Sequence, residues 1–351
     1  MQPVRIGIVG AGANTRSRHL PGFRAIAGVE VVCLANRTMD SARRVVAEFK
    51  IPRIHAHWRD VVDDPGVDAV CIGTWPYLHA SITCAALAAG KHVLCEARMA
   101  RNVAEARQML DASQQTDRIA MLVPSPFGLA GDQLMRELIA KGFLGELREI
   151  YVRGLAATLA DRSAPLGWRQ RADLSGVNML ALGILNETVQ RWFGTAESVL
   201  AQTSRFVPQR VDPDTGQLQD VDLPDSVAVI ARMASTATCV YHLSGHAHHA
   251  GSMRIEAYGS EGTLIYDLDT DKIVGASRAD SELAEIPIPR EQIGRWQVED
   301  DFVAAIRGQR AVTFTTFRDG IKYMCFTEAV YRSAMTGRRC HVAEIWPGSS
   351  P

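Results

Sequence analysis

The sequence predicts a two-domain α/β protein, a doubly wound parallel sheet followed by an α+β domain, on three observations. Its first third alternates short β-rich runs with helical patterns, the signature of parallel βαβ units. Beyond Pro124 the pattern changes to a long helix and then to alternating β-like stretches. The 351 residues, 47% of them hydrophobic, are enough to bury a core in each of two domains.

The elements follow in order. "VRIGIVG" (4–10) reads as the first strand, "VEVVCLA" (29–35) as the second and "VDAVCIGT" (67–74) as the third, with "MDSARRVVAEF" as an intervening helix. "HASITCAALAAG" is a helix that terminates at Gly90, "KHVLCE" (91–96) the fourth strand and "IAMLVP" (119–124) the fifth. The boundary falls there, giving residues 1–123 to the first domain and 124–351 to the second. In the second, "GDQLMRELIAKG" and "LSGVNMLALGILNETVQRWFG" (174–194) read as helices, and "SVAVIARM", "TCVYHL" and "SMRIEAYG" as strands. A last helical region runs from about Val298 to Thr336, interrupted near Phe314.

Composition narrows the function. With 38 basic and 39 acidic side chains the formal charge is −1, which gives no general attraction to nucleic acid or to an anionic membrane. A small-molecule substrate fits better. Seven scattered cysteines without CxxC spacing read as reduced core thiols, and no apolar run reaches membrane-spanning length, so a cytoplasmic protein is expected.

"GIVGAGANT" places Gly10 and Gly12 directly after a strand and before a helix, where the backbone can approach a pyrophosphate at a helix N-terminus. The third glycine of the usual fingerprint is absent, its place held by Asn14 and Thr15. After the second strand stand Ala35-Asn36-Arg37-Thr38, with no carboxylate for the ribose hydroxyls of NAD, whereas Arg37 can pair with a ribose phosphate. NADP is therefore preferred over NAD. Tyr77 and His79 follow the third strand, on the edge where an open α/β sheet binds ligands.

With the glycine turn, "HASITCAALAAGKHVLCEARMA", the helix at 174–194, "RIEAYGSEGTLIYD" and "DFVAAIRG", the chain resembles the glucose-fructose oxidoreductase / inositol dehydrogenase family, Gfo/Idh/MocA, over nearly its whole length. The resemblance implies a Rossmann domain followed by a domain with a largely antiparallel sheet. It also implies hydride transfer between a nicotinamide and a sugar, cyclitol or related alcohol or carbonyl, and a homodimer or homotetramer, often formed through that sheet. The cofactor contacts are then expected from Gly10, Gly12, Asn14, Thr15, Asn36, Arg37, Thr74, His79 and Glu96.

The departures from the family pattern are as informative. Its Glu-Lys-Pro motif stands here as Glu96-Ala97-Arg98, and its Asp-x-Gly-x-His-x-x-Asp helix as Ala181, Gly183, Leu185 and Thr188. Alanine and leucine exchange no proton, so the expected transfer cannot use those positions. The remaining candidates are Glu96, Asn178 and His246 for catalysis and Arg169, Asn178 and Leu185 for substrate. Asn178 can orient a hydroxyl or carbonyl through its amide, Arg169 can clamp an anion, and His246 or His248 in "HLSGHAHHAG" can donate a proton. Glu187 reads as a structural carboxylate, and no metal centre is expected. Pro124, Pro126, Leu185 and Ala181 imply a pocket less polar than one for an unmodified sugar. The alternative is a catalytically inactive NAD(P)-binding sensor or partner subunit.

Overall fold

The computed structural model describes residues 3–124 and 128–346, so Pro126 of the crossover lies outside the described residues. By contacts the chain forms two units, Met1–Pro124 with Gln297–Ile321, and Ser125–Trp296 with Lys322–Pro351. The sequence alone assigns everything after residue 123 to the second domain. The difference lies in residues 297–321, which return to the first unit because their apolar side chains bury there: Phe302 is fully buried and Val298 and Val303 nearly so.

The first unit holds a parallel sheet of β1 (Val4–Val9), β2 (Val29–Ala35), β3 (Arg53–Ile54), β4 (Ala69–Ile72), β5 (His92–Cys95) and β6 (Ala120–Leu122), in the order β3-β2-β1-β4-β5-β6. The five expected strands are present; β3 is a two-residue edge strand too short to leave a periodic signal. Near-continuous Val, Ile, Leu and Cys make these strands fit a sheet covered on both faces. The covering helices are α1 (Leu20–Ala25), α2 (Met39–Phe49), α3 (Trp58–Asp63), α4 (His79–Ala88) and α5 (Val103–Gln114). Local chemistry starts several of them: Thr38 caps α2 by accepting from the Ser41 amide, and Asn102 caps α5 by accepting from the Glu105 amide.

Register decides where the site forms. Val9 pairs with Ala35 on one side and Ile72 on the other, and Ile72 with Cys95. The residues that follow these strands, Gly10, Asn36, Gly73 and Glu96, therefore emerge side by side at the carboxyl edge of the sheet.

The second unit contains α6 (Asp132–Ala140), β7 (Leu147–Leu155), α7 (Ala172–Ser175), α8 (Leu182–Phe193), β8 (Ala196–Ser204), the hairpin β9 (Gln209–Val211) and β10 (Leu218–Asp220), β11 (Ser226–Met233), β12 (Thr238–Ser244), β13 (Arg254–Gly259), β14 (Gly262–Asp267), β15 (Lys272–Ser277), β16 (Ala284–Ile286) and β17 (Cys340–His341). Nine of these strands form one sheet, β16-β15-β14-β13-β7-β12-β11-β8-β17, antiparallel except for β7 beside β12. Two further helices, α9 (Val298–Ile306) and α10 (Phe317–Thr336), precede β17, the interruption between them falling at the expected place.

The stretch 174–194 is not one helix. It breaks after α7 at Gly176 (φ 67°) and resumes at Leu182, with Leu180 also at positive φ, 46°. Asn178 therefore lies in the connection rather than on a helix face with Ala181 and Leu185. Glycine at 176 ends the first helix in a conformation that other residues enter only at a cost.

Candidate cofactor site

Gly10 is the residue on which the site turns. Its φ is 85°, and a Cβ there would lie 2.7 Å from the amide nitrogen of Thr74, so only glycine lets β1 turn this close to the chain after β4. The amide of Ala11 then donates to Asn36 Oδ1 at 2.7 Å, which ties the glycine turn to the end of β2. Gly12 has open space around it, its nearest neighbour for a Cβ being the carbonyl oxygen of Gly73 at 3.8 Å.

The missing third glycine has a structural counterpart. Residues Thr15–His19 form a π-helical turn leading into α1, and Thr15 Oγ1 donates to the carbonyl of Gly10 at 3.0 Å. A Cβ on Gly73 would collide with that hydroxyl and with the Gly10 carbonyl. Close packing of helix and strand is thus obtained from a glycine on β4's exit instead of one in the helix.

These elements border a cleft of about 450 Å³ lined by Gly10, Gly12, Asn36, Arg37, Ser41, His57, Trp58, Thr74, Trp75 and Tyr77, among others. None of the lining residues carries a carboxylate, and the guanidinium of Arg37 lies over the Trp75 ring at 5.2 Å. A glycine cradle, a helix N-terminus and a cationic rim match what a dinucleotide phosphate needs. Ser41, His57 and Trp58 are not singled out by sequence, because they come from α2 and the start of α3, far along the chain.

Glu96 is anchored more heavily than its sequence position foretold. It accepts from the side-chain amide of Asn14, and its Oε1 lies 2.9 Å from His19 Nε2. His19, fully buried, places its other nitrogen, Nδ1, 2.5 Å from Glu299 Oε1 on α9. Burial alone would push the imidazole pKa down, but hydrogen bonds to Glu299 and Glu96 outweigh it and raise the pKa to about 9. For Glu96, burial works upward, and His19 with Asn14 outweighs it, holding the carboxyl below its usual range. Neither His19 nor Glu299 was expected from the sequence. No local signal could have joined them, since 280 residues separate the pair.

Thr74 borders the cleft as expected, but the imidazole of His79 is fully buried and not among the lining side chains. Its Nε2 lies 2.9 Å from the Thr74 carbonyl oxygen and its Nδ1 2.9 Å from that of Arg98, and burial pushes its pKa down. His79 thus braces the segments after β4 and β5.

The remaining expected residues belong to the second unit. Arg169 is exposed and stacks on Trp168, 4.1 Å from the ring centroid. Asn178 is fully buried and donates to the Ser175 carbonyl at 2.6 Å. Leu185 is fully buried, within reach of Gly154 on β7 beside Leu243 on β12. His246 Nε2 lies 3.1 Å from the buried Asp225, with its ring edge-on to Phe206. Glu187 is buried within α8.

Cys33, His55 and Asp64 bring three potential metal ligands within 4.8 Å of one another. Arg53 already pairs with Asp64 at 2.5 Å, and burial pushes the Cys33 thiol up to about 12. Arg53 and His55 both pair with the Asp64 carboxylate, which forms an ion-pair cluster beside the buried thiol. All seven cysteines are free, six of them buried. Among the described residues no helix is long and apolar enough to cross a membrane.

Residues 4–123 match the family model described as "Oxidoreductase family, NAD-binding Rossmann fold", and residues 133–265 match "GFO/IDH/MocA C-terminal domain". The 1,5-anhydro-D-fructose reductase of Ensifer adhaerens is 27% identical over 344 residues, 96% of this chain and 98% of that protein. Levoglucosan dehydrogenase of Pseudarthrobacter phenanthrenivorans is 27% identical over 297 residues, 77% of this chain and 75% of that protein. In fold, the chain is similar to a levoglucosan dehydrogenase solved with NADH and L-sorbose, with a TM-score of 0.85 at 23% identity, covering 97% of this chain and 99% of that one.

Proposed function

The chain belongs to the Gfo/Idh/MocA family of NAD(P)-dependent oxidoreductases, and from that premise we propose that it transfers hydride between NADP(H) and a sugar-like alcohol or carbonyl of reduced hydroxyl content. The observation that carries the cofactor choice is the cleft without a carboxylate, rimmed by Arg37 and His57. A 2′-phosphate there would meet the Arg37 guanidinium, which lies over the Trp75 ring, and no carboxylate among the lining residues.

Bound in this cleft, the nicotinamide supplies the hydride chemistry. The chain's own residues bind and orient. Gly10 admits the phosphates, the amide of Ala11 is fixed by Asn36, and Glu96 stands as an ionised carboxylate at the end of β5. Of the residues expected to touch substrate, Arg169 alone is exposed and keeps that assignment; Asn178 and Leu185 are fully buried and contribute packing. The family's proton-transfer positions hold Ala97, Ala181 and Leu185, so the proton on the substrate oxygen is assigned to water or to His246, whose Nε2 lies 3.1 Å from Asp225.

The substrate class follows from the relatives' names together with that depleted site: an anhydro-sugar or its keto form. NADPH oxidation in the presence of 1,5-anhydro-D-fructose or of keto forms of levoglucosan tests this. Those same replaced positions favour the second reading, a cofactor-binding sensor or partner subunit, which predicts cofactor binding without turnover on any such compound.

Two further assignments belong to this reading. The free thiols fit a reducing compartment, and we place the protein in the cytoplasm. On one face of the large sheet Leu200, Ile230, Val240 and Tyr151 are successive cross-strand neighbours, and Leu200, Ile230 and Tyr151 are 43%, 57% and 42% exposed. A second copy of the chain is the proposed cover for this face.

A further inference from the structure

The segment after the glycine turn is tied down by one side chain with unusual surroundings. His19 presents each ring nitrogen to a carboxylate oxygen, Nε2 to Glu96 and Nδ1 to Glu299. Only an imidazolium can donate through both nitrogens at once, and the two carboxylates favour that form, raising the His19 pKa to about 9. The π turn matters here. With five-residue spacing closing its hydrogen bonds, it brings Asn14 and His19 onto the same carboxylate of Glu96, which a regular α-helix at this spacing would not.

Room for the second carboxylate is built in. A Cβ on Gly22 would lie 2.5 Å from Glu299 Oε2, so the glycine in α1 lets Glu299 reach His19. The groups facing this centre are Glu96 after β5, Glu299 on α9, Asn14 on the same helical segment, the Phe23 ring at 6.4 Å, and Cys71 on β4, whose thiol feels both carboxylates. His79 acts on Glu96 from α4. Asn14 lies two residues beyond Gly12, and Glu96 emerges beside Gly73, so the network joins the glycine turn to the strand end next to the cleft.

We propose that His19 is a positioning residue of the cofactor site: as an imidazolium clamped between Glu96 and Glu299, it locks the helix that follows the glycine turn to the end of β5, and so sets the cofactor-binding geometry. This rests on the reading of the cleft as a nicotinamide dinucleotide site. The carboxylates come from the first unit's two separate chain segments, and the returning α9 segment thereby takes part in cofactor binding without touching the cofactor.

The test is the Kd of NADPH, followed by nicotinamide fluorescence from about pH 6 to about pH 10, for the full-length protein, His19→Gln, and His19→Gln with Glu96→Gln. In wild type the clamp is charged below about 9 and is lost as pH rises through that value, so binding should be level near neutrality and weaken in the alkaline range. Removing the cation leaves two buried carboxylates uncompensated. His19→Gln should bind about tenfold or more weakly near neutrality and recover as falling pH protonates Glu96, the opposite trend to wild type. The double variant should lose that acid-side recovery.

A merely structural histidine would weaken binding equally at every pH. Should His19→Gln fail to fold, Glu299→Gln carries the test, because with one carboxylate left the alkaline loss of affinity should begin at a lower pH. Affinity unchanged in His19→Gln or Glu299→Gln, or curves parallel to wild type, would overturn the proposal. A wild type that binds neither NADPH nor NADH would instead sink the cofactor reading on which it stands.

Discussion

At the residue scale, the proposed preference for NADP rests on Arg37. It is exposed at the cleft rim, stacked on Trp75, with no carboxylate among the cleft-lining side chains to repel a phosphate. Arg37→Ala should therefore weaken NADPH binding by about tenfold to a hundredfold, the range for a charge-assisted hydrogen-bonded pair, while changing NADH binding by less than about threefold. Equal losses for both would mean that Arg37 packs the cleft without reading the ribose phosphate. The place of Arg37 and Asn36 at the cleft was legible in the sequence because it depends on a position immediately after a strand. His19 and Glu299 were not, because their function depends on a meeting that only the folded chain creates.

Among the elements, the helix following the glycine turn and the returning segment 297–321 carry most of what the sequence left hidden. Strands β1, β2, β4 and β5 are apolar runs bounded by glycine and polar turns, which sequence periodicity reveals directly. A π turn has no such signature, and the missing third glycine is explained only by Gly73 facing Thr15. Similarly, α9 is an ordinary amphipathic helix by pattern, and nothing in its sequence says which core it joins. In the fold, Leu122 and Thr315 exchange backbone hydrogen bonds beside β6, and Glu299 completes the His19 clamp. A chain ending at residue 296 should therefore lose NADPH binding and lower the melting temperature of the first unit, as followed by fluorescence and thermal denaturation. Retained binding in that truncated chain would show the return to be dispensable. The break between α7 and α8 is the other miss: helical spacing placed Asn178 on a face with Leu185, whereas Gly176 and Leu180 at positive φ put it in a connection.

For the whole molecule, the sequence made the two-part organisation and the family membership legible, while the partner of the large sheet is left to experiment. If a second copy covers the face bearing Leu200, Ile230 and Tyr151, then Ile230→Asp places a charge in that contact and should shift the protein to monomer in light scattering, with its melting transition still cooperative. A wild type that is monomeric throughout would remove that assignment. Hydride transfer is proposed to persist although Ala97, Ala181 and Leu185 stand where proton-exchanging groups are expected. The most direct measurement is mass spectrometry of the product formed from 1,5-anhydro-D-fructose or a keto-levoglucosan with 4-deuterated NADPH. Deuterium at the reduced carbon with wild type, and none with Gly10→Asp, is the predicted result. Tight NADPH binding with no deuterium transferred to any of these compounds would contradict the account and leave the sensor reading in its place.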